Sequence, residues 1–184
     1  MAGRLNLGDR IEARRLTDIA GRPVAVPDPE RLVHLQFRRF AGCPICNLHL
    51  RSFNRRFDDI EAGGVREVVV FHSTREEMMQ YGSELPVAAI ADPEKRLYAE
   101  FGVEAGLRAL LDPRAWTGIL RGVASATAES IRRGKLMGNT NLHGGRIGLP
   151  ADFLIAPDGR VRACKYGTHA DDQWSVDEML AQAR

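Results

Sequence analysis

Two cysteines separated by two residues, in the segment Cys43-Pro44-Ile45-Cys46, are the residues best suited to chemistry in this chain. They follow an apolar run over residues 31–37, which predicts a buried strand, and precede the periodic pattern of a helix. Unpaired N–H groups and the positive end of the helix dipole favour a thiolate there. In Cys-x-x-Cys settings a cysteine pKa can fall from about 8.5 to roughly 3.5 to 7.5. We therefore expect Cys43 to be the more exposed nucleophile and Cys46 the resolving thiol.

Two other interpretations of the cysteine pair stay open. His49 extends it to a C-x2-C-x2-H pattern, which is half of a zinc site, although no second cysteine pair or paired histidine motif completes four ligands. The two cysteines could also be small buried residues, but that interpretation does not account for their place at a strand-to-helix turn. The sequence favours redox chemistry over metal binding.

Other side chains near the cysteines are weaker candidates. Arg38 and Arg39 come just before the turn and could lower the thiolate pKa or attract an anionic substrate, or could lie at a solvated strand edge. Cys164 falls in a predicted strand with no adjacent base or helix start, so we expect it to be dispensable. Each of the five histidines is isolated in sequence and is interpreted as structural or solvent-exposed: His34, His49, His72, His143 and His169.

The elements that must position the cysteines alternate between strand and helix patterns. Residues 21–27 and 31–37 predict two strands joined by a turn at residues 28–30. The remaining segments predict a helix from 47 to about 61, a strand at 65–71, a helix from 73 or 74 to about 81, a strand at 87–90, a helix after Asp92, two helices and a loop between 104 and 146, a hairpin at 151–165, and a final helix capped by Ser175. Such alternation is typical of an α/β sheet covered by helices.

Composition limits the classes of protein to consider. The chain has 184 residues, a length usual for one domain, and shows no internal repeat or linker, so we expect a single domain over residues 1–184. Its formal net charge of +2 gives no reason to expect nucleic acid as a partner. No window approaches a membrane span and the N-terminus lacks the apolar stretch of a signal peptide, so we expect a cytoplasmic protein. In a reducing compartment, three cysteines indicate catalysis or metal binding rather than a disulfide scaffold.

Four motifs follow one another along the chain: LxxGDRIxxxxLxDIAGRPVAV, GCPIC, ADPEKRLYAEFGV and PADFLIAPDGRV. Their order and spacing resemble the peroxiredoxin-like family, also called the alkyl hydroperoxide reductase and thiol-specific antioxidant family. The resemblance implies a thioredoxin-like fold with a central mixed sheet, an N-terminal β-hairpin, a helical insertion and a redox cysteine at the start of the first long helix. It also implies that Pro150 is a cis-proline beside the redox cysteine, where it would position the substrate.

The sequence departs from the family at two positions. Family members carry Thr or Ser three residues before the reactive cysteine, whereas Phe40 stands there in this chain. The family's arginine before the late strand is also missing, since Pro150 occupies about that place and Arg146 lies several residues earlier. Without these donors we expect dithiol-disulfide exchange to be faster than peroxide reduction.

The sequence therefore predicts a thiol-disulfide oxidoreductase that uses Cys43 and Cys46 as catalytic residues and Pro150, Arg38 and Arg39 as substrate-positioning residues. It needs no cofactor. Its partners would be a thioredoxin-like or small-molecule thiol reductant and a disulfide or hydroperoxide substrate. The sequence is compatible with a homodimer. Two alternatives remain: a peroxiredoxin proper that reduces hydroperoxides, and a non-catalytic binding module of the same fold that holds zinc or docks a partner.

Overall fold

Five strands form a central mixed sheet in the computed structural model, which describes residues 3–82, 86–103 and 148–184. The strand order is β5-β4-β3-β6-β7, and β1 and β2 form a separate hairpin. In chain order the elements are β1 Arg14–Thr17, β2 Pro23–Val26, β3 Leu32–Arg38, α1 Pro44–Arg55, α2 Phe57–Ala62, β4 Val65–Phe71, α3 Arg75–Gly82, β5 Ala88–Ala91, α4 Arg96–Glu100, β6 Ala151–Ile155, β7 Val161–Tyr166 and α5 Val176–Ala183. The predicted α/β architecture with a mixed sheet and an N-terminal hairpin is confirmed. The predicted helices between 104 and 146 lie outside the described residues.

The central strand β3 positions the cysteine turn. It pairs in parallel with β4 and antiparallel with β6, so it lies in the middle of the sheet. Val33, Leu35 and Phe37 alternate along one face. They pack into a core with Tyr98 of α4, with Phe101 just after α4, and with valines of the hairpin. The other face of β3 carries polar side chains under α1. Because of this alternation, the polar side chains of β3 meet one another on the face of the sheet that α1 covers.

Several element boundaries follow local sequence signals. The strand predicted at 65–71 coincides with β4. Asp92 accepts hydrogen bonds from the backbone N–H groups of Arg96 and Leu97 at 3.0 and 2.9 Å. The helix predicted directly after Asp92 nevertheless begins later, at Arg96, with Lys95 as its N-cap. Ser175 caps α5 through a capping box with Glu178. The strand at 65–71 and the cap at Ser175 depend on neighbouring residues alone, so tertiary packing does not change them.

The helix predicted from 47 to 61 begins earlier and is interrupted. It starts at Pro44. Proline suits the first turn of a helix because it has no backbone N–H, and N–H groups there lack a partner within the helix. Arg56 interrupts it with φ −115° and ψ 24°, and separates α1 from α2. The chain then turns into β4 through Gly64, whose φ of +72° favours glycine.

The N-terminal segments contact both outer edges of the sheet, which are formed by β7 and β5. The backbone N–H of Gly8 donates to the Val161 carbonyl at 2.8 Å, and the N–H of Val161 donates to the Asp9 carbonyl at 2.8 Å. On the opposite side, the N–H of Ile19 donates to the Ala89 carbonyl of β5 at 2.9 Å. No helix within the described ranges is long and apolar enough to cross a membrane.

Candidate active site

The cysteine pair lies in the turn that joins β3 to α1. Cys43 is the N-cap of α1, with φ −61° and ψ 117°, and Cys46 lies in the first helical turn. The N–H of Cys43 donates to the Phe40 carbonyl at 3.2 Å, and the N–H of Ala41 donates to Ser73 Oγ at 2.9 Å. These bonds tie the turn to itself and to the end of β4. The predicted placement of the pair at a strand-to-helix junction is therefore observed.

Both sulfurs are buried. The exposed fraction is 0% for Cys43 and 2% for Cys46, and both are free thiols. They pack in an apolar cluster with side chains of α1, β4 and α3, among them Leu50, Phe71 and Met78. The expectation that Cys43 is the more exposed thiol is wrong, because this packing covers the turn. An electrophile can reach either sulfur only after neighbouring groups move.

Arg39 is directed at the cysteine pair. Its Nη2 donates to Cys43 Sγ at 3.0 Å, and its side chain is 5% exposed. The interpretation of Arg39 as part of a solvated strand edge does not hold. A buried guanidinium beside a sulfur favours the thiolate over the thiol.

The two thiols ionise as a linked pair. The hydrogen bond from the Cys43 thiol, together with the charge of Arg39, outweighs burial and lowers the pKa of Cys46 to about 6. Burial, and then the interaction with Cys46, raise the pKa of Cys43 well above its ordinary value. The first proton is therefore lost from Cys46, whereas the sequence pointed to Cys43. The pair then holds one proton and one negative charge between two adjacent sulfurs.

Arg38 leaves β3 on the opposite face from Arg39 and contacts no sulfur by hydrogen bond. Its Nη2 donates to Gln36 Oε1 at 2.6 Å, to Asp152 Oδ1 at 2.6 Å and to His49 Nε2 at 3.2 Å. The Arg38 side chain is completely buried. Its predicted substrate-positioning role stays a prediction, although its charge helps to lower the pKa of Cys46.

A buried polar network surrounds Arg38 beneath α1. His34 Nδ1 lies 2.9 Å from Glu67 Oε1, and His34 Nε2 lies 3.3 Å from Asp152 Oδ1. Gln36 joins the two halves, since it donates to Glu67 and accepts from Arg38. Sequence reasoning missed this network. The sequence feature that could have indicated it is the polar residue at every second position of β3.

Charges within this network fix the ionisation of its members. Burial alone would lower the pKa of His34, but Glu67 and Asp152 raise it to about 9. The charges of Arg38 and His34 outweigh burial and lower the pKa of Asp152. Burial and Arg38 lower the pKa of His49 well below its ordinary value, so His49 is neutral and accepts from Arg38.

The prediction that Pro150 follows a cis peptide bond is wrong. Among the described residues the one cis bond is Val26–Pro27, so the Leu149–Pro150 bond is trans. The Pro150 carbonyl accepts from the N–H of Gly167 at 2.9 Å, which continues the pairing of β6 with β7 by one step. Pro150 thus behaves as an ordinary residue at a strand entry. Its substrate-positioning role loses its main support.

Cys164 lies apart from the cysteine pair. It packs beside the core on the other face of the sheet, and its Sγ lies 3.5 Å from the Leu5 carbonyl. Burial, and then the charge of Asp9, raise the pKa of Cys164. Within the part of the chain that the structure describes, no group of three or more His, Cys, Asp or Glu side chains could hold a metal ion.

Comparison with known proteins gives one family and a consistent set of folds. The family model described as AhpC/TSA antioxidant enzyme matches residues 52–169, which is well over half of the chain and begins after the cysteine pair. No curated protein matches the sequence.

Three solved structures illustrate the fold. Peroxidoxin BcpB from Mycobacterium tuberculosis is 19% identical, with a TM-score of 0.66, over 98% of this chain and 97% of that one. A peroxiredoxin-like protein from Aquifex aeolicus is 16% identical, with a TM-score of 0.65, over 99% and 88%. AhpC from Mycobacterium bovis is 14% identical, with a TM-score of 0.63, over 98% and 91%. At these identities the likeness concerns the fold, and it confirms the thioredoxin-like class.

Proposed function

Because the chain belongs to the AhpC/TSA antioxidant enzyme family, we propose that it is a thiol-dependent oxidoreductase in which Cys43 and Cys46 cycle between dithiol and disulfide. The observation that carries this proposal is the group formed by the two cysteines and Arg39. Both sulfurs are adjacent, one has a lowered pKa, and a buried guanidinium donates to the other at 3.0 Å. A purely structural cysteine pair has no need of such a cation.

The redox cycle uses Cys43 as nucleophile and Cys46 as resolving thiol. Although Cys46 loses the first proton, the remaining proton can cross the hydrogen bond between the sulfurs and leave the charge on Cys43, beside Arg39 Nη2. Cys43 then attacks one sulfur of a substrate disulfide, and the other sulfur leaves as a thiolate. Cys46 attacks the mixed disulfide, so the Cys43–Cys46 disulfide forms and the substrate is released as a second thiol. A thioredoxin-like or small-molecule thiol restores the dithiol.

The rest of the proposal concerns the setting of this chemistry. We propose one catalytic domain over residues 1–184 that acts in the cytoplasm on a disulfide or hydroperoxide without nucleic acid or membrane as a partner. No cofactor takes part, since the sulfurs themselves carry the two electrons. A homodimer is compatible with this scheme.

Mild oxidation followed by alkylation and peptide mapping tests the cycle. We expect a reversible Cys43–Cys46 disulfide in the wild-type protein, its loss in Cys43→Ser and Cys46→Ser, and its retention in the control variant Cys164→Ser. Cys46→Ser should instead trap a mixed disulfide on Cys43, because the resolving thiol is gone. A disulfide that joins Cys164 to either member of the pair would show that the resolving cysteine is wrongly assigned.

A second candidate is a peroxiredoxin proper, in which a hydroperoxide is the first electrophile. The position of Arg39 favours it, because this side chain supplies at the Cys43 sulfur a donor that the sequence motif lacks. Stopped-flow oxidation by hydrogen peroxide and by a small disulfide would rank the two reactions. A peroxide rate constant above about 10⁵ M⁻¹s⁻¹, within the range of efficient enzymes, and lost in Cys43→Ser would establish the second candidate.

A further inference from the structure

His72 is a buried histidine whose side chain has no hydrogen-bond partner among the described residues. It follows the last residue of β4, and 1% of it is exposed. Neither Nδ1 nor Nε2 makes a hydrogen bond within the described part of the chain. Buried polar groups in folded proteins are nearly always paired, so an unpaired imidazole with two free nitrogens calls for an explanation.

His72 lies beside the cysteine turn. Its backbone N–H donates to the Arg39 carbonyl at 3.1 Å, and its ring centroid lies 6.5 Å from that of Phe40. Gly148 lies against both His72 and Arg39: a Cβ at Gly148 would be 3.4 Å from His72 Nε2 and 3.7 Å from Arg39 Cγ. The glycine therefore leaves space between two side chains that a methyl group would occupy.

Arg39 shares the unpaired character of His72. Its Nε is buried and has no hydrogen-bond partner among the described residues, while its Nη2 donates to Cys43. The hydroxyl of Tyr98, whose ring centroid lies 5.7 Å from that of His72, is occupied by the carbonyls of Arg38 and Val70. Three unpaired nitrogens are thus collected on two neighbouring side chains, one of which touches the proposed nucleophile.

The charge state of His72 suits a small substrate that both donates and accepts hydrogen bonds. Burial, and then the charges of Lys95 and Arg39, lower the pKa of His72 to about 4. At neutral pH the ring is uncharged, so one nitrogen donates and the other accepts. A hydroperoxide carries an O–H donor and acceptor oxygens, and the same ring can serve both.

We propose that His72 is a catalytic residue that hydrogen-bonds a hydroperoxide beside Cys43, together with Arg39. This inference rests on the redox cycle proposed above. It assigns to His72 the donor role left empty by Phe40 in the sequence motif.

The step balances without any other reactant than water. The Cys43 thiolate attacks the terminal oxygen, the S–O bond forms as the O–O bond breaks, and two electrons pass from sulfur to the leaving oxygen. His72 donates a hydrogen bond to that oxygen, which takes a proton from water, leaves a hydroxide ion in solution, and departs as an alcohol, or as water when the substrate is hydrogen peroxide. Cys46, which holds the one proton of the pair, then attacks the sulfenic acid on Cys43: the S–S bond forms as the S–O bond breaks, and the sulfenic OH leaves with the Cys46 proton as water.

Three variants test His72 with hydrogen peroxide and a small aliphatic disulfide as probes. In His72→Phe, which keeps an aromatic ring without nitrogens, we expect the ratio of the peroxide rate constant to the disulfide rate constant to fall about 10²-fold. His72→Gln, which keeps a donor and an acceptor, should recover part of the ratio. Gly148→Ala should lower it as well, since the added methyl group fills the space beside Nε2. His169→Gln is the matched control and should leave the ratio unchanged.

Folding is checked by the thermal midpoint of each variant. His72→Phe breaks no side-chain hydrogen bond of the described residues, so its midpoint should not fall. An unchanged ratio in His72→Phe would overturn the role of His72 and leave the cysteine cycle intact. Equal slowing of both reactions in His72→Phe and His72→Gln would assign His72 a structural role and also overturn the proposal. Absence of any Cys43–Cys46 disulfide in the wild-type protein would instead refute the cycle itself.

Discussion

Arg39 shows how one side chain can decide the chemistry of a cysteine pair. Both sulfurs are buried, and burial opposes ionisation. The lowered pKa of Cys46 therefore depends on the Cys43 thiol that donates to it and on the cation beside the pair. The sequence showed an arginine near the turn, but only the structure shows that it points inward.

Replacing Arg39 should raise the pKa of the cysteine pair. In Arg39→Gln the guanidinium 3.0 Å from Cys43 Sγ is lost, and we expect a rise of about 1 to 3 units, the usual effect of an adjacent opposite charge. Ultraviolet absorbance of the thiolate against pH measures it. The control is Arg55→Gln, which removes the same charge from the exposed end of α1. A similar rise in both variants would show that the overall charge of the protein, and not the contact, sets the pKa.

At the scale of elements, the buried network holds the sheet and α1 in one arrangement. Its members come from β3, β4, β6 and α1, and the two carboxylates are matched by Arg38 and a protonated His34. Removal of one partner leaves the others buried without compensation. The network thus stabilises one register of β3 against both neighbouring strands.

Asp152→Asn should destabilise the protein strongly. Asp152 pairs with Arg38 at 2.6 Å and accepts from the N–H of Trp174 at 3.1 Å. We expect the free energy of unfolding, measured with urea, to fall by about 3 to 5 kcal/mol, as for other broken buried ion pairs. Glu61→Gln is the matched comparison, because its partner Arg31 is at the surface, and it should cost less than about 1 kcal/mol. Equal losses in the two variants would contradict the importance of burial.

Between pH 6.5 and 9 the dependence of stability on pH should contain two main contributions, which oppose each other. The pKa of His34 is raised from 6.5 to about 9, so its contribution is complete below pH 6.5 and is lost as the pH rises through 9. The pKa of Cys46 is lowered from 9.0 to about 6, so its contribution is lost as the pH falls through 6 and grows between pH 6 and 9. In the reduced protein the two effects offset each other.

Removing Cys46 should therefore expose the contribution of His34. In Cys46→Ala, urea unfolding should give a loss of roughly 3 kcal/mol between pH 6.5 and 9, from a pKa difference of about 2.5 units. The reduced wild-type protein should vary less, and Cys164→Ala should behave like the wild type over this range. A profile in Cys46→Ala as flat as that of the wild type would contradict a protonated His34.

For the molecule as a whole, what the sequence could predict was local. The strand at 65–71 and the cap at Ser175 depend on residues a few positions apart. The break at Arg56 was missed because the apolar pattern continues through it.

The unpredicted parts of the site depend on strand pairing. Asp152 reaches Arg38 only because β6 lies beside β3, with Asp152 opposite Gln36. His72 meets Arg39 because β3 and β4 run in parallel and end together. The burial of Cys43 likewise comes from packing of α1, β4 and α3, which no local pattern contains.

The N-terminal segments against β7 and β5 have a consequence for self-association. Outer strands with free backbone N–H and C=O groups are templates onto which a second chain can add a strand. In this chain, backbone groups of residues 8–11 form hydrogen bonds with the start of β7. On the other edge, the backbone N–H of Ile19 donates to the Ala89 carbonyl of β5. These contacts cover the first residue of β7 and one carbonyl of β5, so a second copy of this chain is discouraged from adding a strand at those two points of the sheet.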